Sequence, residues 1–199
     1  MICWVADDHN DADTRASRIA VIYKPFVSML QHMRAIHVLF YKPEAEDHWI
    51  NHLVTAVSPP YSHCDMQFDD GTATSIYQNE SVYMQKKNFS RTNYARISFT
   101  LNDAEYNRVK KFCDKAHTDK IKFDMLGMLC SSLPIGIRHP PDKTFCTRYI
   151  LEALHQSGRL DLQLIDPLTT PPSTLYNSLR ELGNGFIHVP EVRMQRLAC

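Results

Sequence analysis

"YSHCDMQFDDGTATSIY", residues 61–77, decides the fold. Cys64, Met66 and Phe68 alternate with His63, Asp65 and Gln67, the period-two pattern of a strand with one core face. The "DDG" that follows at 69–71 signals a hairpin, and "TATSIY" returns along the first strand. If Ile76 joins Cys64, Met66 and Phe68 on the core side, Ser75 and Tyr77 share the face of His63. A register shifted by one residue puts Gln78 there instead.

Outward from the hairpin, the chain alternates strands and helices. "AIHVLFY" (35–41) is rich in β-branched and aromatic residues and reads as a buried strand. "PEAEDHWINHLVTAV" (43–57) reads as a helix, with a proline and acids in its first turn and Trp49, Leu53 and Val57 on one face. "YARISFTL" (94–101) is another strand. "NDAEYNRVKKFCDKA" (102–116) is a helix with Asn102 and Glu105 spaced as a capping box. Its buried stripe is Tyr106, Val109, Phe112, Cys113 and Ala116. Upstream, a strand near 20–23 and a short helix near 26–33 are expected, and "DLQLI" (161–165) is a candidate last strand. A short helix from about Ser173 closes the fold. The expected class is α+β, a mostly antiparallel sheet packed with helices. Residues 1–18 form a polar arm, 19–183 a single domain and 184–199 a tail.

Composition narrows the function. The 199 residues are 44% apolar and 22% charged, with 22 basic and 22 acidic side chains. This is globular composition without the basic excess of a general nucleic-acid binder, so no nucleic acid is expected. No apolar run reaches the roughly 18 residues of a membrane span, and the N-terminus lacks the order of a signal peptide. A cytoplasmic protein is the expectation. The six cysteines show no CxxC spacing and the ten histidines no HExxH, so no metal and no cofactor is expected.

One cysteine stands apart. "TFCTRYILEAL" (144–154) opens a helix whose stripe is Cys146, Tyr149, Ile150 and Leu154, with Gly158 where a C-terminal cap is due. The double proline at 140–141 disfavours helix from upstream, which places Cys146 in the first turn. Free N–H groups and the helix dipole there lower a thiol pKa. A thiolate also needs an imidazole to pair with it and to protonate the leaving group. His63, on the polar face of its strand, fits. Against this, a cysteine in such a stripe is more often inert core, and a strand-face histidine is more often only exposed. Cys64 competes as nucleophile, but strand alternation turns it into the core.

"SPPYSHCDMQFDDG", then "FDMLG" (123–127), then "FCTRYILEAL" resembles the circularly permuted NlpC-type branch of papain-like cysteine enzymes, over roughly residues 36–154. In that branch a strand histidine precedes the catalytic cysteine. The resemblance implies a papain-like fold, Cys146 as nucleophile and His63 as base. The third, orienting residue in the family is usually histidine or asparagine on the next strand. Here Asp65 and Ser75 are the candidates, with Gln78 under the shifted register. The implied activity is that of a thiol hydrolase (peptidase, isopeptidase or amidase) with a peptide, protein or other amide or acyl substrate. A lipid acyltransferase or thioesterase with the same dyad, and a catalytically silent interaction module, are the alternatives.

Overall fold

The computed structural model describes residues 33–131 and 140–183. The expected strand near 20–23, most of the expected helix near 26–33, the polar arm and the tail lie outside them. The described elements run, in order, β1 (Met33–Tyr41), α1 (Trp49–Val57), β2 (His63–Phe68), β3 (Thr72–Ser75), β4 (Tyr83–Lys86), β5 (Tyr94–Asn102), α2 (Asp103–Thr118), β6 (Lys122–Phe123), α3 (Met125–Cys130), β7 (Lys143–Thr144), α4 (Cys146–His155) and α5 (Pro172–Leu182). The class is α+β. Five strands form one sheet in the order β4-β3-β2-β1-β5, while β6 and β7 pair separately.

The β2–β3 hairpin has the register the alternation demands. Met66 faces Thr74 and Gln67 faces Ala73, so Thr74 and Ile76 fall on the core side and Ser75 on the side of His63. Gly71, at φ 80°, lets the three-residue turn close, and its N–H donates to Phe68 O at 2.9 Å. On the other side β2 pairs antiparallel with β1, setting Ile36 against Phe68, Val38 against Met66 and Phe40 against Cys64. All six are buried. This apolar face is covered by α2, α4 and α5. Tyr106, Val109 and Cys113 of α2 and Tyr149, Ile150 and Leu154 of α4 are buried in the same core as Leu175 and Leu179 of α5. The Tyr149 and Thr74 hydroxyls meet at 2.7 Å across it.

The capping box of α2 is present on both arms: Asn102 accepts from Glu105 N, and Glu105 accepts from Asn102 N, each at 2.9 Å. Four expectations need correction. First, α1 begins at Trp49 rather than at Pro43. Asp47 accepts from Glu44 N at 2.9 Å and from the Tyr41 hydroxyl at 2.7 Å, so the acids build a turn before the helix. Second, its stripe of Trp49, Leu53 and Val57 is 60, 39 and 61% exposed, and Ile50 is the buried residue. Third, "TATSIY" ends as a strand at Ser75, because β4 pairs only as far as Ser75–Tyr83 and the chain then turns through Asn79 at φ 62°. Finally, residues 161–165 form a turn rather than a strand. The Asp161 side chain accepts from Gln163 N at 2.9 Å, and Leu164 N donates to Asp161 O. Among the described residues, no helix is long and apolar enough to cross a membrane.

Candidate active site

Cys146 is the first residue of α4, and its placement is set by main-chain bonds. Just before it, β7 pairs in parallel with β6, Lys122 against Lys143 and Phe123 against Thr144. β6 in turn bridges to the turn after β3: Phe123 N donates to Glu80 O at 3.0 Å, and Val82 N to Ile121 O at 2.9 Å. The helix start is therefore tied to the same sheet that carries His63. Phe145, the cap residue, is extended and supplies no side-chain cap. The first N–H groups of α4 have no partner within the helix. This end of the helix favours negative charge.

His63 opens β2, and its ring is fixed from several sides. Ser75 Oγ lies 3.2 Å from Nε2 and donates its proton to Cys64 O at 2.6 Å. A hydroxyl has one proton to give, so Ser75 faces the ring as an acceptor and Nε2 carries hydrogen. Asp65 Oδ1 is 3.6 Å from the same nitrogen. Tyr77 stacks on the ring at 4.3 Å and 18°. With Nε2 engaged by Ser75 and Asp65, Nδ1 is the nitrogen left for Cys146. Cys146 and His63 line the same groove, and each favours the other's charged form.

Electrostatics follow from burial and partners together. Burial disfavours the His63 imidazolium, but Asp65 and the Cys146 thiolate outweigh it and push the pKa up to about 10. The neighbouring Cys64 thiol is the main cause that holds Cys146 well below the ordinary thiol value. Burial opposes it and the His63 charge adds to it. Burial, and then the neighbouring Cys146, raise the Cys64 thiol well above its usual range. Cys64 thus keeps its proton and is not a competing thiolate. Cys113, packed in α2, is pushed up to about 12 by burial.

Asp65 is fully buried. Burial alone would raise its carboxyl, yet the pKa is lowered by His63, Lys87 and Tyr83. Tyr83 donates to Oδ1 in a short bond, and Tyr77 donates to it at 3.4 Å. Lys87 Nζ stands 3.8 Å from Oδ1 and donates to the Tyr77 hydroxyl at 2.6 Å. Charges alternate from Lys87 through Asp65 and His63 to Cys146. Replacing Lys87, whose Nζ stands over the Tyr77 and Tyr83 rings, with methionine keeps an unbranched side chain and removes the first charge. The acid side of the pH profile for alkylation of Cys146 should then move upward by up to about one pH unit. A profile that does not move would detach Lys87 from the site.

All four expected site residues are thus brought together: Cys146 with His63, and Asp65 and Ser75 both on the ring. Two details differ from expectation. The polar face of β2 is not open to solvent, because Tyr77 and Tyr83 lie over His63 and Asp65, and Cys146 is only 4% exposed, reached from two grooves. Gln78 lies beyond the end of β3 and lines one groove. Tyr83 and Lys87 were missed. Their signal was the brief alternation of Val82 and Met84 with Tyr83 and Gln85 around a four-residue strand. Comparison of the chain with protein-family models, with curated proteins and with solved structures finds no match.

Proposed function

We propose that this chain is a thiol hydrolase of the permuted papain-like, NlpC type, acting in the cytoplasm on an amide or other acyl substrate. The observation that carries the proposal is Cys146 at a helix N-terminus and His63 lining one groove, with Asp65 and Ser75 on Nε2 of the ring. A strand histidine preceding the helix cysteine supports the permuted arrangement, and a reactive free thiol suits a reducing compartment. The Cys146 sulfur attacks the substrate carbonyl carbon, forming a C–S bond. The developing oxyanion is stabilised by the N–H groups of the α4 first turn, which have no partner within the helix. The C–N or C–O bond then breaks as the leaving atom takes the proton from His63 Nδ1. Water attacks the thioester with His63 accepting its proton, which releases the acid and restores the ion pair.

Incubation with a generic activated ester should acylate Cys146, detected as a mass increment that hydroxylamine removes. An adduct on another cysteine, or none, would sink the proposal. The pH dependence has a defined sign. The Cys146 thiol is held well below the ordinary thiol value, so the rate should reach its level part at lower pH than an ordinary thiol allows and fall as His63 loses its proton near 10. The same proton is linked to stability. His63 is raised from 6.5, so its contribution is complete below 6.5 and is lost as the pH rises through about 10. A rate that climbs with a midpoint near that of an ordinary thiol would show that no ion pair exists.

A further inference from the structure

Two grooves meet at Cys146 and share Val54, Ser62 and Met128. One, of about 290 Å³, also holds His63 and is lined in part by Asn51, Gln78 and Asn79. The other, of about 210 Å³, holds Cys146 without His63, between Leu53, Val54 and Val57 of α1 and Met128 and Leu129 of α3. Among the described residues, no charged side chain other than the Cys146 thiolate lines this second groove. Five of the six exposed large apolar side chains of the described residues lie on these two helices: Trp49, Leu53, Val57, Leu126 and Leu129. Apolar surface concentrated beside a reactive group marks a binding site rather than chance exposure.

The chemistry divides the substrate between the grooves. The leaving atom must receive the proton of His63, so the released half lies on that ring's side. The half that stays bonded to sulfur takes the other side, where the walls are apolar. We infer that the retained acyl half is an aliphatic chain held in the α1–α3 groove, and that the released half is polar. This rests on the hydrolase reading above. A peptide on the acyl side would bring an N–H and a C=O with every residue, and these need partners. The groove offers few partners, chiefly the Ser62 and Thr147 hydroxyls. Pro171 and Pro172 in its wall have no N–H, and the Ser131 hydroxyl donates to Met128 O at 2.7 Å.

The test uses the full chain and p-nitrophenyl esters of acetate, butyrate, hexanoate and octanoate, each corrected for its spontaneous hydrolysis. From acetate to octanoate kcat/KM should rise by about tenfold or more, as added methylenes leave water. Val57→Asp and Leu129→Asp, made separately at positions 61 and 42% exposed, should pull the octanoate-to-acetate ratio towards one. Octanoyl-N-acetylcysteamine and dioctanoyl-phosphatidylcholine then tell a small thioester donor from a lipid donor, and cleavage of either supports the inference. A flat series, a rise that survives both substitutions, or preference for a peptidyl acyl group overturns it while Cys146-dependent turnover persists. Absence of Cys146-dependent turnover with every ester overturns the hydrolase reading, and the inference with it.

Discussion

Cys146→Ala should abolish ester turnover and acyl-adduct formation, with a loss on the order of 10⁴–10⁶-fold, while the protein stays folded. The size of the loss follows from the role proposed for the sulfur. No other thiol lines the grooves, and the His63 imidazolium has nothing to protonate until the C–S bond exists. Folding survives because Asp65 still pairs with His63 when the thiolate is gone, so no buried charge is left alone. Cys113→Ala is the matching control. Its thiol is packed among α2 core residues, fully buried and pushed up to about 12. That substitution should lower stability by about 1–2 kcal/mol and leave iodoacetamide labelling unchanged. Labelling by mass spectrometry and thermal melts followed by circular dichroism read both variants. If adducts persist in Cys146→Ala and vanish in Cys64→Ala, the nucleophile is Cys64 rather than Cys146.

The hairpin was legible because period two is a strict code. Once Cys64, Met66 and Phe68 face the core, His63 and Asp65 have only one other face, and Ile76 fixes Ser75 on it. The α2 boundaries were legible for a similar reason, since Asn102 and Glu105 satisfy each other's backbone. What stayed hidden depends on contacts distant in sequence. A strand of four residues carries too little alternation to announce β4, yet it supplies the Tyr83 hydroxyl to Asp65. Acids before Trp49 suit a helix start, but the same carboxylates bind turn amides, and Asp47 does so here. Apolar spacing in α1 states that Trp49, Leu53 and Val57 share a face without stating what the face meets. It borders a groove rather than the core. The partnership of Cys64 with Cys146 also exceeds what alternation gives, because it depends on where the start of α4 docks.

Asp65→Asn should have the second-largest effect, lowering kcat/KM by roughly 10²–10⁴-fold, whereas Ser75→Ala should cost about tenfold or less. Both side chains face Nε2, so geometry alone does not rank them; charge does. Asp65 supplies the largest attraction that keeps His63 protonated against burial, and it sits with no solvent exposure. Asparagine preserves the shape and removes the charge. His63 then loses its proton at much lower pH, the thiolate loses its counter-ion, and the level part of the pH profile should contract from its alkaline end. Ser75 contributes a neutral acceptor whose own proton is spent on Cys64 O. Losing it leaves Nε2–H facing Asp65, so the imidazolium survives and only the ring's orientation loosens. The pH profile, not the rate alone, separates these roles: Asp65→Asn should shift the alkaline limb and Ser75→Ala should leave it near 10. Equal rates for Asp65→Asn and the unmodified protein, with the limb unmoved, would mean that Cys146 and His63 act as a bare dyad and that the chain of charges from Lys87 inward is structural.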